Sequence, residues 1–108
     1  VNDEEEATLC ITLLKAYSAT IYNHGDKEEK VQELLDRSGK VLGKLSDSLL
    51  KCQLLVACYG ETLDEELAQE AHKIMSGWGG LLTAEQQNIS DELQNVENDS
   101  YLHANTEL

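Results

Sequence analysis

The sequence contains no proline, no phenylalanine and only seven glycines among its 108 residues. Proline and glycine are the residues that most often interrupt regular structure, so few breaks are available to this chain. Their scarcity favours a small number of long helices over many short strands. Without phenylalanine, the core has to be built from leucine, isoleucine, valine and alanine, together with Trp78 and four tyrosines. A chain of this length fits one domain.

Positive charge is also scarce, most of all in the second half of the chain. The net charge is −13, and residues 61–108 contain Lys73 as their single base against eleven acidic side chains. Such a surface repels phosphate backbones, which argues against direct binding to nucleic acid. It would suit a basic partner protein, although the acids could equally serve solubility alone.

Long hydrophobic runs are absent from the sequence. The longest apolar run, residues 54–59, is far too short to span a bilayer, and the N-terminal VNDEEEA is no signal peptide. The three cysteines, Cys10, Cys52 and Cys58, are an odd number without CxxC spacing, and each lies in an apolar run. We expect reduced, buried thiols in a cytoplasmic protein.

Helix starts and stops are what the sequence does contain. Short polar residues stand three positions before Glu or Gln, as in a capping box, at Asn2–Glu5, Asp26–Glu29, Thr62–Glu65 and Thr83–Gln86. Ser46 is a fifth candidate cap, without the reciprocal acid. Glycines in HGD, YGE and GWGG, at residues 24–26, 59–61 and 77–80, mark helix ends.

These signals predict an all-α fold, a compact bundle of about five helices joined as antiparallel neighbours. The predicted helices span residues 3–23, 27–45, 47–59, 63–77 and 84–97. They form a single domain, residues 1–97, and a mobile tail follows at residues 98–108. Alternate helix starts recur at about the length of a helical-hairpin repeat, with 36 residues from Asp26 to Thr62 and 37 from Ser46 to Thr83. Solenoid-like packing therefore stays open as an alternative.

The faces of the predicted helices differ in their apolar content. The second helix has one apolar stripe, and the fourth and fifth have narrower ones. The first and third carry one charge each between residues 7 and 22 and between residues 49 and 59, so each must be central or covered by something else. From these patterns we predict that the core includes Leu14, Leu35, Leu55 and Ile74.

The stretch CYGETLDEELAQEAH, residues 58–72, concentrates side chains that could bind a metal or catalyse a reaction. A di-iron bundle needs Glu-x-x-His, but Gln69 stands three positions before His72. A zinc helix of the HExxH type needs a second histidine four positions away. The acids that open the stretch have a structural role instead, because they oppose the positive end of a helix dipole. We therefore predict a protein that is not an enzyme and has no cofactor or metal.

Several segments resemble one known family. They are EEATLC, AYSATIYNHGDKEEKVQELLDRS, KVLGKL with SLLK, and CYGETLDEELAQEAHKI, within residues 4–78. They resemble the UpxZ family of antagonists of transcription antitermination, whose members are longer at the N-terminus. The resemblance implies a regulator that binds and inhibits NusG-like, UpxY-type antiterminators of heterologous capsular polysaccharide loci.

Two functional hypotheses follow. In the first, the chain binds a NusG-like antiterminator, without contacting nucleic acid or membrane, and the acids at the start of the fourth helix make the contact: Glu61, Asp64, Glu65, Glu66 and Glu70. In the second, it is a generic helical scaffold or oligomerisation module whose apolar helices pair with copies of themselves. Size measurement of the purified chain, alone and with an antiterminator, separates the two.

Overall fold

The computed structural model describes the backbone of residues 2–19 and 26–106 and the side chains of the same ranges up to Asp99. Within these ranges the chain forms five helices and no strand, which confirms the all-α prediction. The helices are α1 (Asp3–Ala19), α2 (Lys27–Leu42), α3 (Leu49–Thr62), α4 (Glu65–Met75) and α5 (Ala84–Thr106).

Helix α3 is the centre of the bundle. It packs against each of the other four helices, and its buried residues lie on opposite faces. Leu54 and Cys58 join the core formed with α1 and α2, whereas Cys52, Leu55 and Tyr59 join the core formed with α4 and α5. A helix buried on both faces has to be apolar nearly all round, which is the pattern seen in the sequence. The helices thus form a compact all-α bundle in which each helix packs mainly on helices no more than two elements away along the chain.

The molecule is flattened as a result of this arrangement. Its principal extents are 43 × 42 × 23 Å, so its thickness is about that of two helices with their side chains. Two three-helix groups, α1–α2–α3 and α3–α4–α5, share α3. The flat shape leaves long helix faces open to solvent.

Helix α1 is at the edge of the bundle rather than at its centre. It packs on α2 and α3 through the stripe Ala7, Cys10, Ile11 and Leu14. Leu9 on the same helix is exposed. The low charge of α1 is therefore only partly explained by burial, in contrast to α3.

One predicted capping box is complete, and a second has one of its two hydrogen bonds to the backbone. At the start of α5, the Thr83 backbone N–H donates to Gln86 Oε1 at 2.9 Å, and the Gln86 N–H donates to Thr83 Oγ1 at 3.1 Å. At the start of α1, the Glu5 N–H donates to Asn2 Oδ1 at 2.8 Å. Asp26 precedes α2 but accepts no capping hydrogen bond with its side chain, so that box was wrong.

The cap of α3 is Ser48 rather than Ser46. Its side-chain oxygen accepts from the Lys51 N–H at 3.2 Å. The predicted stop of α3 at the YGE glycine was also wrong, because the helix continues through Gly60 to Thr62 and ends where Leu63 adopts a left-handed conformation, with φ 56°. A glycine inside a helix costs only about 1 kcal/mol relative to alanine, and packing of the flanking residues outweighs this cost.

The far ends of α1 and α5 differ from the prediction in different ways. Helix α5 runs to Thr106, so residues 98–106 are helical where the sequence predicted a tail. The mobility of residues 98–108 stays a prediction. The predicted extension of the first helix to residue 23 and its glycine stop at Gly25 lie outside the described residues.

The predicted core is confirmed at three of four positions. Leu14, Leu55 and Ile74 are buried, whereas Leu35 is half-buried at the margin of the α1–α2–α3 core. The buried face of α2 is centred on Leu34, Ser38 and Val41, so it is rotated away from Leu35. Within residues 2–19 and 26–106, no helix combines the length and hydrophobicity that a membrane crossing requires.

Candidate protein-binding surface

The five acids predicted to bind a partner lie around the corner between α3 and α4. Glu61 is in the last turn of α3, Asp64 stands between the helices, and Glu65, Glu66 and Glu70 follow along α4. All five side chains are exposed. The corner therefore presents a set of accessible carboxylates, as the sequence indicated.

Three of these acids are engaged within the protein. Asp64, and not Thr62, is the cap of α4, because its Oδ1 accepts from the Glu66 N–H at 3.1 Å. Glu65 accepts from the Tyr59 hydroxyl at 3.4 Å instead of closing a box with Thr62. Glu70 forms an ion pair with Lys51 at 3.1 Å, which ties α4 to α3.

Lys51 is held between two carboxylates, and only 12% of its side chain is exposed. Burial opposes its charge, but hydrogen bonds and ion pairs to Glu70 and Asp47 outweigh burial, so the pKa of Lys51 lies above its ordinary value. Glu61 and Glu66 are different, since no other described residue forms a hydrogen bond or ion pair with either carboxylate. These two acids are the members of the set that are free to meet a partner.

The cap at Asp64 gives a direct stability prediction. Replacing Asp64 with alanine removes the acceptor for an N–H of the first turn of α4, so we expect a loss of about 1 kcal/mol in the free energy of unfolding, within a range of about 0.5–2. Urea denaturation measures it. Gln69→Ala, at an exposed position of the same helix, is the control and should change stability by less than about 0.5 kcal/mol. Equal midpoints for the two variants would contradict the assignment of the cap.

A polar cluster joins α3, α4 and the middle of α5 beside this corner. His72 Nε2 lies 3.0 Å from Glu97 Oε1, which links α4 to α5. The Tyr59 ring is buried between them, and burial together with the carboxylates of Glu65 and Glu97 raises the pKa of its hydroxyl. A raised pKa disfavours the phenolate, so Tyr59 is poorly suited to act as a base. The cluster holds three helices together.

The thiols are likewise removed from solvent in the folded state. Cys10, Cys52 and Cys58 are free and buried, which confirms the predicted burial. Burial raises the pKa of Cys52 and of Cys58 to about 11, and a thiol is nucleophilic only as the thiolate. In the part of the chain that the structure describes, no group of three or more His, Cys, Asp or Glu side chains is arranged to hold a metal ion.

A groove that the sequence analysis missed lies between α1 and α5. Its volume is about 650 Å³, and its floor is formed on α3 by Val56, Ala57 and Gly60. The walls are lined by Leu14, Lys15, Ser18 and Ala19 of α1 and by Glu92, Val96 and Asp99 of α5, with Glu61 and Leu63 at one end. The sequence feature that belongs to this groove is Gly60, which the sequence predicts as a helix stop but which lies inside α3. Inside the helix, its missing side chain keeps the floor of the groove low.

A second and smaller recess lies between the start of α1 and the second half of α2. It has a volume of about 270 Å³ and is lined largely by charged side chains, among them Arg37, Lys40 and Lys44. Arg37 forms an ion pair with Glu6 across the two helices. Three of the eight basic side chains of the chain thus line this recess, together with Asp3 and Glu6.

Comparison with known proteins agrees with the fold. The sequence profile of the UpxZ family of transcription anti-terminator antagonists matches residues 1–60. The crystal structure of a transcription anti-terminator antagonist UpxZ from Bacteroides uniformis superposes with a TM-score of 0.87 at 50% sequence identity. That alignment covers 93% of this chain and 66% of the other, so this chain spans just under two thirds of its relative. None of the curated protein sequences matches. The chain belongs to the UpxZ family.

Proposed function

We propose that this chain is an antagonist of transcription anti-termination that acts by binding a NusG-like, UpxY-type antiterminator. The observation that carries the proposal is the 50% identity, over 93% of this chain, to a protein described as an anti-terminator antagonist. The buried thiols and the structural role of the Tyr59 cluster agree with a protein that works by binding rather than by catalysis.

The proposed partner also determines where in the cell the chain would act and on which loci. A NusG-like antiterminator acts on transcribing polymerase, so the chain would act in the cytoplasm, and its targets would be antiterminators of heterologous capsular polysaccharide loci. A factor that touches polymerase and RNA needs basic surfaces, because RNA carries a phosphate backbone. A protein of net charge −13 is suited to cover such a surface.

The contact would include the α3–α4 corner. Glu61 and Glu66 are exposed there without internal partners, so their carboxylates can meet lysine or arginine without first breaking a contact in the fold. Asp64 and Glu70 are poor choices for a test, since one caps α4 and the other neutralises Lys51. A variant that replaced them would confuse folding with binding.

The experiment is therefore a charge reversal at the two free acids. We expect the double variant Glu61→Lys with Glu66→Lys to bind a NusG-like antiterminator at least tenfold more weakly than the parent, with the difference shrinking as salt rises above about 0.1 M. Calorimetry or biolayer interferometry measures the dissociation constant.

The matched control reverses two acids of α2. Glu28 lies in the first turn of its helix, as Glu66 does, and Glu33 is exposed further along. The variant Glu28→Lys with Glu33→Lys has the same net charge as the test variant, so a purely long-range effect would weaken both alike. Equal affinities for the two variants would remove the corner from the interface. A parent chain that bound no antiterminator and formed a stable dimer would instead favour the oligomerisation module.

A further inference from the structure

The groove between α1 and α5 has the dimensions of a binding site for one short helix. Its walls run from Leu14 to Ala19 on α1 and from Glu92 to Asp99 on α5, and at 1.5 Å per residue the longer wall is about 10 Å long. That is two helical turns, the span of side chains at positions i, i+3 or i+4, and i+7. Its volume of about 650 Å³ lies within the range of pockets that enclose ligands.

The groove combines an apolar floor with an acidic rim. Ala57 and Val96 supply aliphatic surface above the buried Val56, and Leu63, 47% exposed, lies at one end. Glu61, Glu92 and Asp99 surround it against Lys15 as the one base among its lining residues. Glu92 is half-buried, and no other described residue forms a hydrogen bond or ion pair with its carboxylate.

The acidic rim favours some partners of the groove over others. A second copy of the chain would bring its own net charge of −13 to an acidic rim, so self-association is opposed by repulsion. A segment with apolar residues on one face and lysine or arginine on its flanks matches both the apolar floor and the acidic rim of the groove. Docking of an amphipathic helix into an apolar groove is a recurrent mode of peptide recognition.

We propose that the α1–α5 groove is the docking site for a basic amphipathic helix of the antiterminator. The apolar face of that helix lies on Ala57, Gly60 and Val96, and its basic flanks pair with Glu61, Glu92 and Asp99. This inference rests on the proposed function for the identity of the partner, but the chemistry of the occupant is argued from the groove itself.

Gly60 provides a sharp test, because a side chain there fills the groove. A Cβ at position 60 would come to 3.8 Å from Val96 Cγ2, an ordinary van der Waals contact, so the fold tolerates it. Leucine would project further over the floor. Gly39 is the matched control, as it is exposed within α2 and a Cβ there meets nothing within 4 Å. Both substitutions raise helix propensity in the same direction, so thermal melts should show neither variant unfolded.

Binding of a NusG-like antiterminator is compared for the parent, Gly60→Leu and Gly39→Leu by calorimetry. We expect Gly60→Leu to weaken binding at least tenfold and Gly39→Leu to stay within twofold of the parent. If both stay within twofold, the groove is not the docking site, while the proposed function stands. Sedimentation that shows a parent dimer dissociated by Gly60→Leu would overturn the proposal in favour of a second copy.

A synthetic peptide tests the groove by itself, even if the parent chain binds no antiterminator. The probe is a helical peptide with leucines at i, i+4 and i+7 and lysines on the flanks, and its counterpart has glutamates in place of the lysines. We expect the lysine peptide alone to shift the amide resonances of Ala57 and Val96, and to do so in Gly39→Leu but not in Gly60→Leu. If the lysine peptide causes these shifts but the parent binds no antiterminator, the proposed function is refuted and the groove remains a site for a basic helix. No shifts with either peptide would overturn the groove.

Discussion

Replacing Leu55 with alanine is expected to lower the free energy of unfolding by about 2–5 kcal/mol. Leu55 is fully buried on the face of α3 that meets α4 and α5, so the missing atoms leave a cavity where three helices meet. Domains of this size have about 5–15 kcal/mol of stability in total, so the loss is a large share of it. Urea denaturation followed by circular dichroism measures the change.

The comparison variant is Leu35→Ala. Leu35 is half-buried at the margin of the other core, where the neighbours can relax and water already reaches part of the side chain. We expect a loss of about 1 kcal/mol for it. Losses of equal size at the two leucines would contradict the position of Leu35 at the margin of its core.

Alkaline pH is expected to destabilise the protein through Cys52 and Cys58. Burial raises the pKa of both thiols from 9.0 to about 11, so between these values the unfolded chain loses protons that the folded chain retains. The unfolded state then binds fewer protons, and stability falls as pH rises, by up to about 1.4 kcal/mol per pH unit for each thiol. Below pH 9 both thiols are largely protonated in the folded and in the unfolded chain, so they cause no fall in stability with pH. Chemical denaturation at a series of pH values from 8 to 11 measures it.

The matched variant is Cys52→Ala, which removes one of the two thiols whose pKa burial raises to about 11. Its own cost in stability is the same at every pH, so the quantity to compare is the slope. We expect a smaller alkaline slope in Cys52→Ala than in the parent, with Tyr59 supplying part of what is left because burial raises its pKa as well. Parallel slopes in the two proteins would show that Cys52 ionises equally in the folded and unfolded states.

Much of the fold could be predicted because its signals are local. The reciprocal pair Thr83–Gln86 lies within one turn, so the sequence contains everything that decides the start of α5. The end of α3 is different. Gly60 offers a local stop, but the contacts that Tyr59 makes with α4 and α5 carry the helix past it to Leu63. Tertiary burial outweighs a propensity difference of about 1 kcal/mol.

The candidate binding surface was predictable only in part. Composition pointed to the acids near α4, and all five are exposed. Which of them are already engaged depends on Lys51 and Tyr59, which belong to another helix and reach the corner only in the folded chain. The groove depends on α1 and α5, which are far apart in sequence and flank α3. No pattern within a single helix reports a space between two others.

The sequence by itself therefore determined the helical class, the positions of most helices, the buried thiols and the acidic character. All of these follow from local propensity, capping and composition, which act within a few residues. The tertiary structure decided that α3 rather than α1 is central, that Asp64 caps α4, and that Glu61 and Glu66 are the free acids. These outcomes depend on which apolar faces meet, and the free energy of that choice comes from burial between residues distant in the chain.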